Sequence, residues 1–358
     1  MKRESKAEKP ISEQVKQKIS RGKNEKKKFD YISPEGNTDL MISTGSTLLD
    51  LAISGGRVHG GGIPAGIVVE IFGPSQSGKT VLLSQIAGNV QEQGGEVAFH
   101  DPEGRLNRQF AQIFKFELDN AEYDRPNVVP EIFQAVRKWK PKNLNVINGI
   151  FADSLAALST DLEMETDEGD KMGARRAKEF SQEFRRTCRM LVEKNYLMVC
   201  SNQIREVINA GQFQERYKSS GGLAMEHYPS LRLRTKFAAK GSKIRKTITQ
   251  AGKEIKESIG ANIEVEVYKS SVWKPQKTAP VTIIWDYGID DIRQNLQYLK
   301  TYTGANSYVL GGETLSRSLS EAIIIVEEDE LEDELKEEVI NLWEEIETKF
   351  KSDRKPRK

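Results

Sequence analysis

The chain is poor in the residues that staple small secreted proteins or hold metals. It has two cysteines, Cys188 and Cys200, and three histidines in 358 residues. Two thiols without metal-ligand spacing exclude a disulfide framework and a zinc site, and both stand inside apolar-periodic segments, as buried thiols do. His100, at a strand end, reads as structural. Long hydrophobic runs are also missing. Nothing approaches the roughly 18 apolar residues of a membrane-spanning helix, and the start MKRESKAEKPISEQ lacks the apolar centre of a secretion signal. The expectation is a cytoplasmic protein with no membrane partner. No repeat of solenoid period stands out. An excess of one charge is absent too, but the net +1 hides segregation: lysines crowd residues 2–28, acids crowd 327–347, and the last ten residues are basic again. Each run, taken alone, reads as a solvated face.

What is present is enough for a sizeable core, with 37% hydrophobic and 30% charged residues. Three regions follow. Residues 1–35 read as a basic helical arm, closed by the turn signal SPEG. Residues 36–287 alternate strand-length apolar runs with helical segments. GIVVEIF, GEVAFHD, LNVINGIFADS and YLMVCSNQ show little polar alternation, which suits parallel strands covered on both faces. From residue 230, SLRLRTK, ANIEVEVYKS and PVTIIWDYG alternate with period two and read as antiparallel. A basic insertion, KGSKIRKTITQAGKEIKES, separates the first two of these, within 237–260. Residues 288–358 read as a small C-terminal domain with an acidic helix, whose apolar face carries Leu331, Leu335, Val339, Leu342, Ile346 and Phe350, and a basic tail. The fold class expected is α/β, with a mainly parallel central sheet.

Chemistry enters at residues 73–80. Gly73, Pro74, Ser75, Gln76, Ser77, Gly78, Lys79 and Thr80 match G-x-x-x-x-G-K-[ST] between an apolar strand and an amphipathic helix. Glycines let successive N–H groups turn toward one anion beside the positive end of the helix. The pattern predicts a nucleotide polyphosphate, with Lys79 on the β- and γ-phosphates and the Thr80 hydroxyl on Mg²⁺. A second magnesium-side carboxylate is needed at a neighbouring strand end, and Asp153 closes NVINGIFADS. A carboxylate that orients water is needed as well. FHDPEGRLN offers Asp101 and Glu103, and Glu103 is the choice.

A wider set of segments shares one order and spacing. ISTGSTLLDLAISGG, GGIPAGIVVEIFGPSQSGKT, DPEGRLN, DSLAALS, SNQIR and SSGG together resemble the RecA family of recombinases across residues 42–300. The resemblance implies an ATP- and Mg²⁺-dependent DNA strand-exchange protein that forms helical filaments on single-stranded DNA and pairs it with a duplex. SSB-like or loader proteins are implied as possible helpers. It implies Glu103 as the catalytic glutamate, Asp153 as the second magnesium carboxylate, and Gln203 as the sensor of the γ-phosphate. Phe110 stands where an aromatic meets adenine and Asn107 where a residue contacts the base; for Phe110 the plain alternative is a buried helix residue.

Residues 163–173 and 204–222 resemble the family's DNA-binding loops. The second carries Arg205, Phe213, Arg216 and Lys218, with Gly221 and Gly222 at its end; Met172 and Arg176 follow the first. Cations interleaved with aromatics suit phosphate neutralisation and base stacking, while a solvated linker reads equally well from composition alone. Lys269 matches a lysine that reaches a neighbouring protomer's ATP. Departures lie close by: Ser271 replaces a second such lysine, and Glu226 and His227 replace a boundary lysine and aromatic. Two other readings stay open, a DNA-dependent RecA-fold ATPase without strand exchange and a non-hydrolysing accessory protein.

Overall fold

The structure is a computed structural model that describes residues 11–22, 40–160, 172–206, 217–219, 223–239, 241–352 and 354. It divides into two compact units, one of Ser33–Ile289 and one of Met1–Ile32 with Asp290–Lys358. The first described element is helix α1 (Ile11–Gly22). The larger unit opens with β1 (Met41–Ile42), α2 (Thr47–Ser54), β2 (Ile63–Pro64), β3 (Val68–Gly73), α3 (Lys79–Glu92), β4 (Val97–His100) and α4 (Arg108–Ile113). It continues with β5 (Glu122–Asp124), α5 (Val129–Lys138), β6 (Asn148–Ala152), α6 (Met172–Glu193), β7 (Tyr196–Glu206) and β8 (Tyr217–Ser219). It ends with α7 (Leu223–His227), β9 (Leu231–Phe237), β10 (Lys243–Gln250), β11 (Lys253–Ser270), β12 (Thr278–Ile284) and β13 (Gly288–Ile289).

One sheet carries this unit, in the order β13-β12-β11-β9-β3-β7-β6-β4-β5, with β10 paired to β11 and β8 to β7. Strands β9, β3, β7, β6, β4 and β5 are mutually parallel. The apolar runs fit that place because β3, β4 and β6 are buried along their whole length. Ala98, Ile150, Met198 and Cys200 meet α5 and α6 on one face, where Phe133, Phe180 and Phe184 pack together. Residues one position along point the other way; there Phe99 stacks on Phe151 at 6.0 Å. A Cβ on Gly149 would lie 2.4 Å from the Phe151 ring and 3.2 Å from Val90 of α3, so glycine lets that helix approach the sheet.

One strand expectation changes. SLRLRTK, expected to be antiparallel, becomes β9, which runs parallel to β3 and antiparallel to β11. Its period-two alternation reflects that junction: Leu231 and Leu233 are buried, Arg232 is buried with a partner, and Lys236 is exposed enough to ion-pair at the surface. The basic insertion, left without a structural assignment by the sequence, takes a defined form. It is β10 and the outer end of β11, joined by Ala251 and Gly252, both at positive φ (49° and 75°), the pattern of a type I′ hairpin turn.

The second unit holds α8 (Asp291–Thr303), β14 (Tyr308–Leu310), β15 (Glu313–Ser316), α9 (Leu319–Glu328) and α10 (Glu332–Lys349). Asp290 caps α8 by accepting from the Arg293 N–H at 3.1 Å. On α10, Leu335 and Val339 are buried and Leu331 is buried at its N-cap, but Phe350, just past the last turn, is 74% exposed. Ile340 takes a buried position instead, and Glu344 and Glu347 are buried as well, so the acidic face is not wholly solvated. Helix α1 belongs to this unit: Val15 is fully buried and lies against Gly311. Among the described residues no helix is long and apolar enough to cross a membrane.

Candidate functional site

The site is built at the carboxyl ends of β3, β4, β6 and β7, where parallel strands deliver their following loops. Gln76 and Gly78 adopt positive φ (61° and 82°), which curls the 73–80 loop between β3 and α3. Packing also demands its glycines. A Cβ on Gly73 would lie 2.2 Å from Thr235 Oγ1, and one on Gly78 2.6 Å from Ile283 Cδ1. The Ser77 hydroxyl shares a 2.6 Å hydrogen bond with Thr235 and reaches the Pro74 carbonyl at 2.7 Å, so this side chain braces the loop. Ser75 and Gln76 are exposed.

Lys79 opens α3, and its ammonium donates to the carbonyls of Gly73 (3.2 Å) and Pro74 (2.6 Å) across its own loop. Burial lowers its pKa below the ordinary lysine range, while Asp153 and Glu103 pull it back up. The Thr80 hydroxyl donates to Asp153 Oδ2 at 2.6 Å, and Ser201 donates to Asp153 Oδ1. Burial pushes the Asp153 carboxyl up; those two hydroxyls hold it down, and Glu103 and Asp101 add to the rise. One hydroxyl and one carboxylate side by side are hard oxygen donors. They fit Mg²⁺, which takes one or two protein oxygens and fills the rest with phosphate and water. Among the described residues no cluster of three or more His, Cys, Asp or Glu could hold a metal by itself.

The two candidate water-orienting acids now separate. Asp101 is buried, and its Oδ2 accepts from the Leu106 N–H (2.8 Å) and the Tyr123 hydroxyl (2.9 Å). Glu103 faces the site: its Oε1 accepts from Gln203 Nε2 and Ser154 Oγ, each at 3.2 Å, and its Oε2 pairs with Arg105 at 2.7 Å. Two hydrogen-bonded pairs, Thr80 with Asp153 and Gln203 with Glu103, therefore stand near the Lys79 ammonium, whose charge both carboxylates feel. Asn107 caps α4, its side chain accepting from the Phe110 N–H at 2.9 Å, and Phe110 is half-buried with its ring edge-on to Phe114 at 5.0 Å. His100 is bonded to Asp124 at 2.6 Å.

Some residues that position this site are absent from the sequence reading. Ser201 is one. Another is a buried chain across three adjacent strands: Arg232 of β9 donates to Glu70 of β3 at 2.6 Å, Asn202 of β7 donates to the same carboxylate at 2.9 Å, and the Gln203 N–H donates to Asn202 at 3.0 Å. The signal was a glutamate inside the otherwise apolar VVEIFG, because a buried carboxylate requires a partner.

The expected DNA contacts are only partly described. Met172 opens α6, and Arg176 is half-buried near its start. Arg205 and Lys218 sit opposite each other where β7 and β8 pair. Phe213, Arg216, Gly221 and Gly222 lie outside the described residues, as do 163–171 of the first segment. Lys269 donates to the Glu226 and His227 carbonyls at 2.8 and 2.9 Å, closing the end of α7; burial and Arg232 lower its pKa.

Residues 22–290 match the RecA N-terminal domain family. The chain belongs to the RecA family. Among its relatives, a protein named Protein RecA from Delftia acidovorans is 33% identical over 249 residues, which is 70% of this chain and 63% of that protein. Protein RecA from Borrelia hermsii is 29% identical over 308 residues, 85% of this chain and 82% of its own. The Campylobacter hominis protein of the same name is 32% identical over 257 residues, 72% of this chain and 69% of its own. Against the Delftia protein, the aligned stretch thus spans a little under two thirds of the relative's length.

Proposed function

We propose that this chain is an ATP-dependent recombinase that assembles on single-stranded DNA and exchanges it with a homologous duplex. The observation that carries the reading is the link from the segment after β4, beside the phosphate loop, to the strand that leads into the 204–222 segment: Gln203, near the end of β7, bonds directly to Glu103. Bound Mg²⁺-ATP supplies a transferable γ-phosphoryl group. Lys79, desolvated beside two loop carbonyls, is ready to exchange those partners for phosphate oxygens, where its charge counts for more than in water. Thr80 and Asp153 hold the metal side. Glu103, steadied by Arg105, Ser154 and Gln203, orients the attacking water and takes up its proton. Gln203 shares its amide between Glu103 and the nucleotide end of the site, so the state of the nucleotide is passed to the segment that follows β7. Residues 163–173 and 204–222 hold DNA in this reading, and the 1–35 arm and Lys269 serve contacts between protomers.

ATP turnover by the purified chain, with and without single-stranded DNA, tests this. Stimulation by DNA is expected. Gln203→Ala should keep DNA-free turnover and lose the stimulation. Turnover indifferent to DNA in the wild type would contradict the reading, and equal stimulation in Gln203→Ala would remove Gln203 from the link.

A further inference from the structure

Strand β11 is longer than the sheet that holds it. From Ile263 to Glu266 it lies between β12 and β9, but from Lys253 to Ser258 its only strand partner among the described residues is β10. The result is a two-stranded ribbon whose residues 245–257 are all exposed. Its eight-residue arm spans about 26 Å at roughly 3.3 Å per residue. Such a ribbon has no core of its own. The cross-strand pair Ile248–Ile255, 50% and 43% exposed, is what side-chain packing it has.

Charge on this ribbon is unlike charge elsewhere in the same sheet. At its root, Arg234 and Lys236 of β9 both pair with Glu266 of β11, so those cations are neutralised within the fold. On the ribbon, Lys243, Arg245, Lys246, Lys253 and Lys256 face two acids, Glu254 and Glu257. Of the five, Lys256 pairs with Glu254 at 3.3 Å, while Lys243, Arg245, Lys246 and Lys253 make no ion pair among the described residues. Register and alternation place Arg245, Thr247, Thr249, Glu254, Lys256 and Ser258 on one face, where the single acid, Glu254, is taken up by Lys256 and leaves Arg245 and three hydroxyls. Lys246 and Lys253 flank the isoleucine pair on the other.

We propose that the β10–β11 hairpin is a duplex-DNA contact in its own right, separate from the 204–222 segment and acting through the phosphate backbone. The chemistry selects the occupant. Unpaired cations with hydroxyl donors match a polyanion of regularly spaced phosphates. The ribbon has no aromatic residue between 241 and 259, so it lacks the stacking platform by which unpaired bases are held, whereas 204–222 carries Phe213 and Tyr217. A two-stranded ribbon also fits the major groove, about 12 Å wide. The inference rests on the recombinase reading only in that this protein handles a duplex.

The test uses the full chain with Lys243, Arg245, Lys246, Lys253 and Lys256 all changed to Gln, beside a charge-keeping control with the four lysines changed to Arg. Fluorescence anisotropy measures binding of a labelled 30-base-pair duplex and of a 30-nucleotide single strand over a salt series, and ATP turnover with single-stranded DNA is followed in parallel. The glutamine variant should bind duplex about ten- to a hundredfold more weakly at low salt, with a shallower dependence of affinity on salt, at about 0.9 log unit per lost phosphate contact. Single-strand affinity should stay within about twofold, and the arginine control should bind duplex as the wild type does. Unchanged duplex affinity would overturn the proposal and leave the ribbon a solvated surface. An equal loss for single strand and duplex would overturn it too, as would a change in self-association without DNA that accounts for the loss. If the wild type shows no DNA-stimulated turnover but the glutamine variant still loses duplex selectively, the recombinase reading fails and the hairpin contact stands. Matching melting temperatures for the three proteins exclude a folding defect.

Discussion

The loop end of the sheet and the β10–β11 hairpin hold polar groups in opposite ways. At the loop, Lys79 sits on two carbonyls, Asp153 accepts from two hydroxyls and Glu103 has three partners. On the hairpin, four cations have no ionic partner among the described residues. Partnered groups in a half-buried site are fixed in place before a ligand arrives, so their effect is short-ranged and resists salt. Unpartnered surface cations act at a distance and are screened, so their effect is graded and fades with salt. Positioning and attraction are thus separated in one sheet.

Substitutions can break or sharpen that contrast. The largest effect belongs to the site: Glu103→Gln should lower ATP turnover about a hundred- to ten-thousandfold while nucleotide binding persists, and the fold loss should be the same at low and high salt. Full turnover would mean that another group orients the water. Next comes the buried chain behind the site. Arg232→Met leaves the Glu70 carboxylate without its cation and should cost about 3–5 kcal/mol in denaturant unfolding; a loss under about 1 kcal/mol would show that water reaches Glu70. Asp153→Asn comes third and has the opposite sign. Burial raises the folded-state pKa of Asp153, so its contribution to stability is full below the unfolded carboxyl value and is lost as pH rises through the folded value. The nucleotide-free asparagine variant should therefore melt higher than the wild type at neutral pH, converge with it in acid, and gain less from Mg²⁺-nucleotide. A lower melting temperature at neutral pH would contradict this. The smallest effect is at the surface: Lys236→Met should change stability by less than about 1 kcal/mol, because Glu266 keeps Arg234 and the pair is partly solvated.

Much of the site was legible because its chemistry is local in sequence. The 73–80 loop, Asp153 at the end of its strand and Glu103 three residues past β4 each declare themselves by spacing, and the structure brings them together. The FHDPEGRLN spacing offers both Asp101 and Glu103, and Glu103 is both the choice from spacing and the residue the resemblance implies; in the structure Glu103 accepts from Gln203 and Ser154, while Asp101 Oδ2 accepts from Leu106 and Tyr123. What was not legible depends on pairing across the sheet. Arg232 and Glu70 are 162 residues apart, and only the parallel register of β9 with β3 sets them side by side. The insertion read as basic composition without a shape, because its period-two pattern is blurred by the exposure of both faces. Phe350 was assigned to the α10 seam by periodicity, yet it falls where the helix ends.

The most direct test of the recombinase account is a fluorescence strand-exchange assay. The chain, Mg²⁺ and ATP are assembled on a single strand and offered a labelled homologous or heterologous duplex, with Lys79→Ala run alongside. The account predicts ATP-dependent displacement from the homologous duplex alone, and none by Lys79→Ala; equal displacement from both duplexes, or none by a wild type that hydrolyses ATP, would contradict it.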